Sequence, residues 1–151
     1  MAAARPLSKS PGSENGYLLE EQVGHLLRRA HQRATSIFLG EFGNGQPTPT
    51  QWAALVKLGD HGALSQNHLG RMTAMDPATI QGVIRRLVER RLIARRADRA
   101  DRRRSVLTLT PAGCDLVAVH RAAAARISDA TLEPLSARQR AQFLDLLKRL
   151  G

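Results

Sequence analysis

Residues 76–111, DPATIQGVIRRLVERRLIARRADRADRRRSVLTLTP, constrain the fold more than any other stretch of the chain. Asp76-Pro77 places a capping residue before a proline, a start signal for a helix. Ile80, Val83, Ile84, Leu87 and Val88 then share one arc of that helix. Ala78, Gly82, Arg85, Arg86 and Glu89 fall on the opposite arc, with Thr79 and Gln81 flanking it. A short strand over 92–97 leads into the charged turn ADRADRR, and Ser105-Val106-Leu107-Thr108-Leu109 alternates with period two as a half-buried strand. From Arg85 to Arg104 ten arginines stand against only Glu89, Asp98 and Asp101, a local charge of +7 in a chain of net charge +10. A helix with a basic face followed by a basic hairpin is the outline of a winged helix on duplex DNA.

Charge alone would also admit RNA or a membrane surface. The chain is 3% aromatic, which argues against the stacking platforms that single-stranded nucleic acid requires. No apolar run approaches the roughly 20 residues of a membrane span. Cys114 is the single cysteine, so no internal disulfide or cysteine-based zinc site is expected, and neither is a cofactor or bound metal. Residues 1–16 lack an apolar signal segment and read as a polar arm. A reduced, cytoplasmic setting and no membrane partner follow as expectations.

The remaining boundaries come from local capping chemistry. Apolar residues at helical spacing predict a long first helix over 17–42. Thr48-Pro49-Thr50-Gln51 combines a cap, a first-turn proline and a capping box. Ser65 caps a short third helix, Thr110-Pro111 opens a fifth, and Ser136 to Gln139 forms a second capping box for the last. The expected architecture is mainly α with a small β-hairpin: a winged helix-turn-helix over 48–110 within a single domain, 17–151. The long helices of 17–42 and 111–151 flank it for dimerisation.

Arg85 and Arg86 suit guanine, Gln81 adenine, and Thr79 either a base or a phosphate. Gly82 on the same arc would let DNA approach closely, although close helix packing explains a glycine equally well. In the turn, Arg99, Arg102 and Arg103 are candidates for a narrow minor groove, with Asp101 bracing a neighbouring arginine. Ser65, Gln66 and Asn67 at the start of the third helix can donate to a phosphate, a role compatible with simple capping by Ser65.

Leu116, Val119, Ala123 and Ile127 line a stripe of the fifth helix, and Phe143, Leu144, Leu146, Leu147 and Leu150 line the last. Such faces outside a compact reading head call for a second copy of the chain, whose two-fold axis would match two half-sites. For a ligand, Arg28, His31 and Thr35 on the first helix are grouped with Trp52 and Met72, and Tyr17 is placed with them. An apolar cleft holding one cation and one histidine suits a planar aromatic carboxylate. Trp52 and Met72 as plain core, with His31 exposed, is the competing reading.

The run LGRMTAMDPATIQGVIRRLVERRLIARR and the wing ending DRRRSVLTLTPAG resemble the multiple-antibiotic-resistance regulator (MarR) family. The resemblance extends from about residue 17 to the C-terminus. It implies a homodimer on a pseudo-palindromic operator and transcriptional control, most often repression relieved by a small aromatic acid. One departure is Ala100, where members commonly carry an arginine; Arg99 stands beside it as a substitute. EEQVGHLLRRAHQR with GRMTAMDPATIQGVIRRL is most similar to repressors of nicotinate degradation, which respond to 6-hydroxynicotinate.

Several other functions are weaker fits. A peroxide sensor needs an activated thiolate near the first helix, whereas Cys114 sits at an Ala-Gly-Cys step expected to be packed. His25, His31, His61, His68 and His120 lack compact metal spacing, which leaves a metal-responsive regulator as an alternative. No phosphate loop, nucleophile elbow or carboxylate pair suggests an enzyme. An architectural DNA-compacting protein would explain the charge but not the reading-head order.

Overall fold

The computed structural model describes residues 17–43 and 45–151, so the expected arm over 1–16 lies outside it. The chain divides into two compact units, Met1–Arg33 and Ala34–Gly151.

In the first unit a 3-10 turn, Leu19–Glu21, precedes α1 (Val23–Phe42), which begins here and continues into the second unit. The helix expected from residue 17 therefore starts later. Gln22 adopts an extended conformation and its side-chain Oε1 accepts from the His25 backbone N–H at 2.7 Å. Its own carbonyl takes the first intrahelical bond, from Leu26. Gln22 is thus a helix cap, a role its residue type does not advertise.

In the second unit α2 (Pro49–His61), α3 (Gln66–Met72) and α4 (Pro77–Glu89) precede a hairpin of β1 (Ile93–Ala97) and β2 (Ser105–Leu109). α5 (Pro111–Thr131) and α6 (Ala137–Leu150) follow. Every cap read from sequence is made: Thr48 and Ser136 in full capping boxes, and Ser65, Asp76 and Thr110 each accepting from the residue three positions on. Described residues therefore form the expected helices and a two-stranded antiparallel hairpin.

Leu55, Leu58, Leu69, Ile84, Leu87, Ile93 and Leu107 are almost wholly buried in one core shared by α2, α3, α4 and the hairpin. Burial of each such side chain contributes about 1.5–3 kcal/mol. Strand pairing runs from Ile93 opposite Leu109 to Ala97 opposite Ser105. Leu64 adds an isolated bridge to Leu107, with N–H to carbonyl distances of 3.1 and 2.8 Å.

α3 and α4 both end in the same closed turn. Met75 and Leu92 each return an N–H bond to the residue five back, and Ala74 and Arg91, at φ 52° and 57°, supply the left-handed residue. Arg91 is then anchored by its carbonyl, which accepts from the Thr110 hydroxyl at 2.7 Å.

On α5, Val117 is buried in the reading-head core, and Ala123 packs with Phe38 and Phe42 in a second cluster that includes Ile127. Of the stripe read from sequence as a face for a second copy, Val119 is 73% exposed and Ala123 is buried, and the core side of α5 is carried by Gly113, Val117 and Ala123. Cys114 is exposed rather than packed, since it neighbours Gly113 on the turn and points away from the core side. Arg121 bonds Asp60 of α2 and thereby holds the Asp60 carboxyl below the usual carboxylate range. Arg126 pairs with Glu41 at 3.1 Å, joining α5 to α1.

Gly113, in the first turn of α5, lies against Leu92 in the link between α4 and β1. A Cβ built there would lie 2.1 Å from the Leu92 carbonyl oxygen, a backbone atom that is itself bonded by the Thr110 N–H. Gly113→Ala is expected to destabilise the protein by about 1–3 kcal/mol through overpacking, read as a lowered Tm in thermal unfolding.

Candidate nucleic-acid interface

α4 is held by its apolar side: Ile80, Val83, Ile84 and Leu87 are all buried. Val88, expected on that arc, is 38% exposed. It stands at the edge of the arc, a full residue's rotation beyond Leu87, and faces a groove instead of the core.

The opposite face carries Ala78, Thr79, Gln81, Arg85, Arg86 and Glu89, all exposed. Gly82 is half-buried, yet a Cβ there would meet no atom within 4 Å, so intrachain packing does not require the glycine. It lines a groove of about 600 Å³ with Gln81, Arg85, Val88, Glu89 and Arg95. Thr79 gives its hydroxyl hydrogen and its backbone N–H to Asp76. These two bonds hold the Asp76 carboxyl below its ordinary range and leave Thr79 oxygen lone pairs to offer outward. Arg85 makes a long, exposed contact of 4.0 Å with Glu89, worth little in water.

In the wing, Asp98 and Asp101 each fold the chain back by accepting a backbone N–H two residues on, from Ala100 and Arg103. Asp101 also pairs with Arg104 at 3.6 Å, which is the bracing role read from sequence. Arg99, Arg102 and Arg103 are exposed, and among the described residues their side chains have no acidic partner.

Ser65 caps α3 by accepting from the His68 N–H at 3.3 Å, and Gln66 and Asn67 follow on the same edge. Two arginines of the basic run have structural partners that sequence reasoning missed. Arg90 donates to the Gly45 carbonyl at 2.8 Å and to the buried Gln51 side chain at 3.4 Å, tying the end of α4 to the start of α2. Arg95 donates to Gln66 Oε1 at 3.1 Å. Period-two alternation from Ile93 was the available signal for Arg95, since it places both on one face of the hairpin.

The residues proposed for an effector are distributed over both units. In the first, Tyr17, Arg28 and His31 are exposed, and Arg28 contacts His25 Nδ1 at 3.1 Å. In the second, Thr35 is half-buried. Trp52 packs edge-on to Phe42, with ring centroids 5.0 Å apart. Met72 and Trp52 both lie against the reading-head core. His120, weighed in the sequence only as a metal ligand, stacks on Phe42 at 5.0 Å and approaches Trp52 as an aromatic neighbour. Among the described residues no three His, Cys, Asp or Glu side chains converge as a metal site. No described helix is long and apolar enough to cross a membrane.

Comparison with known proteins decides the family. A MarR-family model matches residues 46–104, the span of α2 to the wing. The HTH-type transcriptional repressor NicR of Pseudomonas putida is 39% identical over 95% of this chain and 90% of its own length. The chain belongs to the MarR family. A probable transcriptional regulator from Pseudomonas aeruginosa has a solved structure that is 48% identical, covers 89% of this chain and all of its own, and superposes with a TM-score of 0.84. Bordetella bronchiseptica BpsR, whose DNA binding is regulated by 6-hydroxynicotinic acid, is 40% identical over 90% of this chain and 97% of its own, with a TM-score of 0.85. The winged helix-turn-helix of this MarR-family chain is thus shared along nearly its whole length.

Replacing Arg85 by Ala is expected to relax discrimination at one base position of the operator, by about 1–3 kcal/mol, while binding to random duplex changes less. Competition titrations with single-base operator variants measure this. Unchanged discrimination would mean that another face of α4 reads the bases.

Proposed function

We propose that this MarR-family chain is a homodimeric repressor of transcription acting in the cytoplasm, with no enzymatic activity, and released from its operator by a small aromatic carboxylate such as 6-hydroxynicotinate. The observation that carries the reading is the division of α4. Four apolar side chains fix one side in the core, while Thr79, Gln81, Gly82, Arg85 and Arg86 are left together on the other. That face enters the major groove, and Arg99, Arg102 or Arg103 reaches into the adjoining minor groove. Ser65, Gln66 and Asn67 meet the phosphate backbone. Residues 48–110 form the reading region, and the helices of 17–42 and 111–151 dimerise.

Exposed apolar side chains support the dimer. α6 buries none of its residues, and Leu144, Leu146 and Leu150 are exposed, as is Val119 of α5. In the first unit Leu18, Leu19, Val23, Leu26 and Leu27 are exposed as well. Two-fold pairing of such surfaces sets two copies of α4 on two half-sites.

The likeness to BpsR supports the choice of effector, and the likeness to the repressor NicR supports repression. Tyr17, Arg28, His31, Thr35, Trp52 and Met72 are the proposed contacts: a cation for the carboxylate, a histidine for a ring substituent, and aromatic and thioether walls for the ring. A ligand that favours a dimer spacing unsuited to two half-sites lowers operator affinity by its differential affinity for that spacing.

Fluorescence anisotropy of a duplex from the upstream region, with random duplex as competitor, tests both parts. Operator preference of orders of magnitude, lost on adding 6-hydroxynicotinate, is the expected result. A preference that survives the compound would remove that effector, and equal binding to all duplexes would favour an architectural protein. Leu146→Glu is expected to shift the protein towards monomer in sedimentation and to abolish operator preference, since a charge on that face opposes burial.

A further inference from the structure

Arg95 stands two residues after Ile93 on β1, and the two share one face of the hairpin. Ile93 closes the core, whereas Arg95 continues that face past the core's edge and is exposed. Across the hairpin it faces Leu107, whose backbone is bonded to Leu64, the residue just before the Ser65 cap. This ladder brings a β1 guanidinium to α3, where Arg95 Nη2 donates to Gln66 Oε1. The same arginine borders the groove along α4 and a second depression of about 470 Å³ that is also lined by Asn67 and Arg104.

A guanidinium can only donate hydrogen bonds. Gln66 therefore gives its oxygen to Arg95, which leaves the amide nitrogen to donate elsewhere. An amide that could accept or donate is presented as a donor, and the charge behind it strengthens that donor. Adenine readout takes the amide oxygen and nitrogen together, and the bond from Arg95 occupies one of the oxygen's two lone pairs and fixes its direction, which biases the amide towards donation. Phosphate oxygens only accept. Arg85, Arg95 and Arg104 border the two depressions against a single acid, Glu89.

We propose that Arg95 is a positioning residue that presents Gln66 as a dedicated donor to a backbone phosphate of the bound duplex. The proposal rests on the reading of α4 as the operator helix. Arg95 does not read a base; it sets the polarity of the side chain that grips the strand beside the groove α4 enters.

The test uses the full-length protein and two duplexes, one from the upstream region and one of random sequence, at one salt concentration. Arg95→Leu and Gln66→Leu are each expected to weaken both duplexes about tenfold, and the double variant no further than the weaker single one. Gln66→Glu would pair with Arg95 more strongly but offers no N–H, so it is expected to bind at least as poorly as Gln66→Leu. Arg95→Lys keeps a donor for the amide oxygen and is expected to recover most of the loss. Melting temperatures should stay near that of the wild type, since both side chains lie outside the core.

Losses that multiply in the double variant, or a Gln66→Glu protein that binds like wild type, would overturn the proposal. So would a loss confined to the upstream duplex, which marks base reading, or a fall in Tm that parallels the loss of binding. A wild-type protein that binds neither duplex defeats the operator reading and this proposal together. Wild-type binding with unaffected variants defeats the proposal alone.

Discussion

Leu107 is held in three directions at once. Its side chain is buried in the reading-head core, its N–H and carbonyl bond to Leu64, and across the hairpin it faces Arg95. Because an antiparallel residue sends both backbone groups to the same side, the pair with Leu64 leaves the Arg95 position without a backbone bond and its side chain close by. The wing is therefore tethered to the first residues of α3 as well as to its own partner strand. The start of α3, the base of the wing and the exposed face of α4 become parts of one surface through that tether. A two-stranded hairpin by itself would be marginal in water, and the third strand position and the core beneath it supply what it lacks.

The same economy governs the arginines. A run of +7 over twenty residues looks uniform as a sequence, but the fold divides it by task. Arg90 spends its donors on Gly45 and Gln51, Arg91 provides a left-handed turn, Arg95 orients Gln66, and Arg104 leans on Asp101. Arg85, Arg86, Arg99, Arg102 and Arg103 remain directed to solvent on the helix face and the wing. Away from this surface, Arg121 with Asp60 and Arg126 with Glu41 tie α5 to α2 and α1. These exposed pairs add modestly to stability but restrict how the helices can slide. Positive charge thus serves both to attract a polyanion and to hold the elements that face it.

Much of the fold is legible in the sequence because its boundaries are written in local chemistry. Thr48-Pro49, Asp76-Pro77, Thr110-Pro111 and the Ser136 box each satisfy donors within three residues of themselves, so neither packing nor partner is needed to recognise them. Gln22 escaped because a glutamine is an uncommon cap, and the break at its position shortened the first helix. Val88 differs from its expected burial for another reason. Helical spacing defines an arc, but how wide an arc is covered depends on neighbours that the helix does not contain. The candidate site divides similarly. The exposed residues of α4 follow from periodicity, while Arg95 against Gln66 joins positions 29 apart and His120 against Phe42 joins separate helices.

The sequence by itself determined the order of elements, the capped starts, the buried side of α4 and the concentration of positive charge on the helix and wing that follow. These depend on interactions within a few residues, or on a period set by backbone geometry. Tertiary structure alone decided which arginines are occupied and which are available, where the wing attaches, and which side chains meet across the fold. Hydrogen-bond donors are satisfied by whatever acceptor packing brings within about 3 Å, and nothing in local sequence specifies that acceptor.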